Sequence, residues 1–449
     1  MSKDAIKVGP ASDDVKQEAG YFYDLLRDFV QPLLDRLDQQ VDRRLVNTFW
    51  GLLGCLIRFR HNSLGLLLSE LGGKLLGEQH APAGTKRISN LLRSKAWEHT
   101  LIETFLLEKA QQQARQLQDQ QQTCVLLWDE SVLEKPESLK AQGLCAVRSS
   151  KAKRLKRIKP GFFNPPGGRP VHVPGFEWMG LLLAGLKTHP LIAFFRWYTT
   201  RGEYAQDRFS LQSALLSQAV TAFGRHVWHV FDRGYAGKRW LGELLNQQVG
   251  FVLRWPKRYQ LVDETARRRA SWQIARGRAT QVRGRVWDAH QQQWRPGAAL
   301  ALAVTHPDYP DEALWLVVSR LGKGREPWYL LTNQACDQVD VLWSVVLAYA
   351  RRWQIEACWR FSKSELALQS PRLWFWATRL KLMMMVALVY AFLLSLLVID
   401  KQAARLALLR SWCHRTGKRC QSALTPLYRL RAALAALLTT YQIITQTSG

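Results

Sequence analysis

Acidic residues are the scarce class in this chain: 36 Asp and Glu stand against 63 Lys and Arg in 449 residues, a formal charge of +27. A surplus of that size implies a polyanionic partner, with nucleic acid first and an anionic membrane surface as the alternative. Cysteine is sparse and unpatterned. The seven are scattered, and Cys413 and Cys420 lack the C-x2-C spacing with matching His that a zinc site needs. They read as reduced thiols of a cytosolic protein. No Walker A loop, H-E-x-x-H or G-x-S-x-G occurs, so nucleotide hydrolysis, zinc proteolysis and serine hydrolysis have no support. The opening MSKDAIKVGPASDDVKQEAG is polar and carries acids, and no secretory signal is expected there. Long apolar runs are also few. Leu382 to Ile399 is charge-free and reaches the lower limit for a membrane span, but it is a lone run after a charge-rich helix and is expected to be a buried core helix.

What is present is enough apolar content, 47% of residues, to build proper cores in two or three domains. Residues 1–20 are expected to be a disordered tail. Residues 21–122 carry helix-period apolar patterns and form an all-helical region. Within it GTKRISNLLRSKAW places Lys86, Arg87, Arg93 and Lys95 on a short helix after a Pro/Gly turn. That helix reads either as a helix-turn-helix-like DNA reader or as a solvated basic face. From Cys124 the pattern changes to strand-length runs (CVLLWDES, EWMGLLLAGL, PLIAFFRWYTT), then a helix, the strand HVWHVF and another helix, over residues 123–249. Residues 250–335 read as a β-rich insertion, 336–400 as the second part of the core, and 401–449 as a basic helical tail.

The stretch YARRWQIEACWRFSK puts Tyr349, Arg352, Glu356 and Lys363 at offsets of 3, 4 and 7. On a helix these fall within roughly a 60° arc. The stripe then presents a carboxylate, which can bind a metal, between cations that can hold phosphate oxygens. Two aspartates end apolar strands in the same manner: Asp129 after VLLW and Asp232 after HVWHVF. Glu130 and Asp207 read as surface or secondary groups, and Trp353 and Trp359 as packing residues.

The spacing Y-x2-R-x3-E-x6-K resembles the signature of the insertion sequence 4 family of DDE transposases, and all four positions match. The resemblance covers Cys124 to Lys363. It implies an α/β ribonuclease-H-like catalytic core with a β-rich insertion, preceded by an all-helical N-terminal region and followed by a helical C-terminal tail. It also implies Asp129, Asp232 and Glu356 as catalytic acids holding Mg2+, with Mn2+ as a substitute. Tyr349, Arg352 and Lys363 would contact DNA phosphates, and Trp328 would stack on a flipped base. Two basic clusters, with Lys153, Arg154, Lys156 and Arg157 in one and Arg267 and Arg268 in the other, are expected to neutralise further phosphates. The family implies double-stranded DNA as partner (terminal inverted repeats and target), a homodimer in a synaptic complex, no membrane, and a cytoplasmic, nucleoid-associated location. DRGYAG departs from the form that follows the second aspartate in some members. A catalytically silent DNA-binding derivative, a ribonuclease-H-like nuclease without strand transfer, and a membrane protein built on Leu382–Ile399 stay as rival readings.

Overall fold

The computed structural model describes residues 12–59, 65–135, 140–149, 172–288, 293–322, 326–413 and 427–447. The chain divides into two compact units. One comprises residues 1–105, 140–142 and 360–449; the other comprises 106–139 and 143–359. This division cuts across the boundaries read from sequence, because the first and last helices of the chain share one core.

The helical unit contains α1 (Ser12–Asp38), α2 (Arg43–Arg58), α3 (Leu68–Leu76), α4 (Ala81–Arg93) and the first part of α5 (Thr100–Asp119). The expected tail over 1–20 is corrected from Ser12 onward. Val15 and Ala19 continue the buried stripe of Phe22 and Leu26, so the amphipathic pattern starts before Tyr21. α3 and α4 cross where a Cβ on Gly84 would overlap the backbone of Gly72, and this leaves Lys86 and Arg87 exposed.

From the C-terminal part come α11 (Trp376–Ser395), α12 (Gln402–Trp412) and α13 (Leu427–Thr447), numbered after the helices described below. α11 is the apolar run, 94% buried in its most hydrophobic window, and it packs on α2, α4 and α13. Its two cations are satisfied inside this unit. Arg379 donates to the carbonyls of Gln142 and Leu373, and Lys381 donates to the carbonyl of Ser94 at 2.6 Å.

The second unit is built on a twelve-stranded sheet. Its first five core strands are β1 (Cys124–Glu134), β3 (His172–Gly185), β4 (Leu191–Tyr198), β5 (Trp228–Phe231) and β6 (Gly250–Arg254), with β2 (Cys145–Arg148) on the β3 edge. β1, β3 and β4 are antiparallel neighbours. β5 lies parallel to β1, and β6 parallel to β5. Parallel pairs need crossovers, supplied by α6 (Arg208–Phe223) and α7 (Lys238–Asn246). Asp207 caps α6 by accepting from the Ser210 amide at 2.8 Å.

β7 (Gln260–Val262), β8 (Arg268–Ala270), β9 (Val282–Asp288), β10 (Gln293–His306), β11 (Tyr309–Leu321) and β12 (Trp328–Thr332) complete the sheet, with the short α8 (Ser271–Ile274) between β8 and β9. The expected insertion is corrected in two respects. GFVLRW is β6, a parallel core strand whose apolar run is buried on both faces. The later strands extend the same sheet through the antiparallel pair β6–β12. After β12 come α9 (Val339–Arg351) and α10 (Trp353–Ser364).

Candidate active site

Strand register brings the two aspartates together. Leu127 is the partner of Val230 across the parallel pair β1–β5. Two residues further, on the same face by the period of two, Asp129 and Asp232 stand level. Phe231 partners Leu253 on β6, so Arg254 takes the same level beside Asp232. On the other side Asp129 partners Gly180, and Gly180 partners Phe195. One row across five strands therefore reads Phe195, Gly180, Asp129, Asp232, Arg254. The opposite face carries Leu126, Trp128, Phe231 and Leu253 of the core that packs against α6 and α7. Glu130 belongs to that side. It accepts from Arg208 Nε at 2.7 Å and from Gln212, which ties it to α6 and away from the aspartates.

The row is covered by the signature segment. The single helix expected over Tyr349–Lys363 is two helices, α9 and α10, that meet at Arg352. There the amide of Arg352 bonds the Tyr349 carbonyl at 3.1 Å and that of Ile355 bonds the Arg352 carbonyl at 3.2 Å, a local 3-10 tightening. The guanidinium of Arg352 still pairs with Glu356 four residues on. Lys363 lies seven residues beyond Glu356 on α10, in the part that belongs to the helical unit.

Electrostatics couple these groups. Burial raises the carboxyl pKa of Asp129 to about 7; Arg352 opposes that shift, and the charges of Asp232 and Glu356 add to it. For Arg352, burial pulls the pKa down, but Tyr349, Glu356 and Asp129 together outweigh it and hold the guanidinium charged. Burial likewise raises the Tyr349 phenol, with Arg352 and Arg254 pulling it back. Trp328 meets Tyr349 edge-to-face with centroids 4.8 Å apart. Asp232 accepts from the Gly234 amide at 2.7 Å and opens the turn through Arg233, which is exposed.

Three residues read otherwise, or not at all, from sequence belong to this site. Trp359, expected to be packing alone, donates Nε1–H to Asp129 Oδ2 at 3.0 Å while its ring lies against Trp178 and Phe195. Gly180 makes room for that ring, since a Cβ there would overlap it. An isolated glycine inside the strand run EWMGLLLAGL was the available signal. Arg254 donates to the Pro327 carbonyl at 3.0 Å, and its buried Nη1 has no hydrogen-bond partner among the described residues. Its place at the end of the run GFVLRW gave no hint of this.

Among the described residues, no group of three or more His, Cys, Asp or Glu side chains is arranged to hold a metal ion. Glu356 is engaged with Arg352, and Asp129 with Trp359. Carboxylate oxygens are the ligand class that hard divalent cations take. Asp232 and Glu356 each lie within electrostatic reach of Asp129, and their charges contribute to its raised pKa.

Of the other residues expected to touch DNA, two lie on the same sheet as the row. Arg267 and Arg268 are exposed at the β7–β8 hairpin, the far end of the sheet order from β6. Lys86 and Arg87 are on α4 of the helical unit. Lys153, Arg154, Lys156 and Arg157 fall outside the described residues.

No family model matches the chain, and no curated protein matches it. Among solved structures it aligns with a piggyBac transposase synaptic complex with hairpin DNA, at 13% identity and a TM-score of 0.41, over 90% of this chain and 73% of that one.

Proposed function

We propose that the chain is a DNA transposase of the insertion sequence 4 type, with a ribonuclease-H-like core that cuts and rejoins DNA by metal-dependent phosphoryl transfer. The observation that carries this reading is the level, same-face placement of Asp129 on β1 and of Asp232 one residue past the end of its parallel neighbour β5, with Glu356 coupled to Asp129. The order β4-β3-β1-β5-β6, three antiparallel strands followed by two parallel ones, agrees with such a core.

Asp129, Asp232 and Glu356 would hold Mg2+ or Mn2+. Bound there, divalent ions supply Lewis-acid activation of the attacking oxygen and stabilisation of the leaving one. The chain's own groups do the rest. Arg352 and Arg254 are cations aimed at phosphate oxygens, Trp328 offers a ring for an extrahelical base, and Trp359 fixes one oxygen of Asp129. Water attacks phosphorus at the element's end and the 3′ oxygen leaves, which nicks one strand. The freed 3′ hydroxyl attacks a phosphorus of the opposite strand and expels the 3′ oxygen of the flanking DNA, which closes a hairpin and releases the flank. Water reopens it, and the same hydroxyl then attacks target DNA. Each step is a displacement at phosphorus, so one site serves all of them. Two copies of the chain would pair two DNA ends.

The test is incubation with Mg2+ and a duplex bearing the inverted repeat that flanks the gene, resolved on a denaturing gel beside Asp129→Ala, Asp232→Ala and Glu356→Ala. Nicks and hairpins that all three substitutions abolish are expected. Bound but uncut DNA with every protein would reduce the chain to a DNA-binding derivative. Nicks without hairpins or joined products would make it a nuclease.

A further inference from the structure

On the sheet face opposite the acidic row, β9, β10 and β11 present a second basic surface. Arg283, Arg285 and Trp287 alternate along one side of β9. Their cross-strand partners on β10 are Ala298, Pro296 and Trp294, and Ala298 in turn partners Arg320 on β11. Arg320 follows Val318, a member of the core on the face away from Asp129, which fixes the side on which this group stands. The three arginines are exposed, and Trp294 is 53% exposed with its ring edge-to-face on Trp287 at 5.6 Å.

The reverse face is filled. Trp343 of α9 packs beneath Gly284 and Gly297, and Arg295 pairs with Asp288 at 2.7 Å. The cross-strand neighbours of Arg283, Arg285 and Trp287 on β10, namely Ala298, Pro296 and Trp294, are all uncharged. Arg283 and Arg285 stand about 7 Å apart along the strand, and Arg320 lies about 10 Å away across two strand spacings.

We propose that this face is a second DNA-binding surface, taking the phosphates of a duplex on Arg283, Arg285 and Arg320 with Trp294 and Trp287 against the strand. Arginine on an edge strand also blocks strand addition, but that role requires neither Arg320 two strands inward nor an exposed Trp294 set against half-buried Trp287. Three guanidiniums and two indoles on one side match the charge and stacking chemistry of nucleic acid. The surface rests on the proposed reading only for the choice of DNA as the polyanion, since the acids stand on the other face.

The experiment is anisotropy of a labelled random-sequence 40-base-pair duplex with the full chain across a NaCl series, comparing wild type with Arg283→Ala/Arg285→Ala/Arg320→Ala and with Trp294→Ala. The triple variant is expected to bind more weakly and to reduce the slope of log affinity against log salt by about 2 to 3, near 0.9 for each phosphate no longer neutralised. Trp294→Ala should weaken binding with the slope unchanged. Wild-type affinity and slope in the triple variant, with an unchanged thermal melt, would overturn the proposal. Strand nicking is scored in parallel at saturating protein. A lowered slope without nicking in the wild type sinks the enzyme reading alone, and nicking with an unchanged slope sinks this surface alone.

Discussion

The indole Nε1 of Trp359 and Oδ2 of Asp129 are hydrogen-bonded at 3.0 Å, although 230 residues separate them in sequence. A donor to one carboxylate oxygen favours the charged form, in opposition to the burial and like charges that raise this group. Trp359→Phe keeps the ring against Trp178 and Phe195 and removes only the donor. The alkaline shift expected in Asp129 moves the acidic limb of the pH–nicking profile upward. Nicking at pH 7 should fall about tenfold, in line with roughly 1.5 kcal/mol for a hydrogen bond to a charged group. An unshifted profile would show that the indole is packing alone.

Gly180→Ala sets a methyl into the space the Trp359 ring fills and within 3.0 Å of Phe195 Cδ1. Overpacking of this kind costs roughly 1 to 3 kcal/mol. A lowered urea midpoint with an unchanged m-value is expected, and Trp359→Leu in the same chain should recover part of the loss. No recovery would place the strain somewhere other than this pair.

The sequence was most legible where one period or one strand end decides the matter. Asp129 and Asp232 each close an apolar run, and register then brings them level, so their convergence follows from pattern plus parallel pairing. Arg352 and Glu356 are four apart and do pair. Long-range complementarity was not legible. Trp359 reads as one more core tryptophan until Gly180, on a strand far away in the chain, opens room beside Asp129. The tightening at Arg352 escaped the sequence because both helices have good helical patterns and only hydrogen bonding shows the junction. The unit boundaries escaped for a related reason: amphipathic faces reveal that they need a partner, and not that residues 12–105 find theirs in residues 360–447.

The raised carboxyl of Asp129 makes a signed pH prediction. Its folded pKa near 7 lies above the ordinary value of 3.8, so between those values the folded chain holds a proton that the unfolded chain has released. The stability this provides is fully present below the unfolded value and is lost as pH rises through about 7. Asp129→Asn removes the titrating group. Relative to wild type, the variant should therefore gain stability from pH 5 to pH 8, on the order of a few kcal/mol. Parallel urea midpoints across that range would contradict the shift.

Arg352 is the cation that compensates Glu356 and opposes the shift of Asp129, so Arg352→Ala leaves carboxylates facing one another with less to balance them. Breaking a buried pair from one side costs about 3 to 5 kcal/mol. Because Glu356 retains 29% of its side-chain exposure, the low end of that range applies. The loss should shrink at pH 5, where Asp129 is protonated. Millimolar Mg2+ or Mn2+ should raise the melting temperature of Arg352→Ala more than that of wild type, because a divalent cation can take over the missing positive charge. Calorimetry with and without the ion reads this directly, independently of any DNA cleavage. Equal shifts in the two proteins would mean that the carboxylates do not act together on a cation.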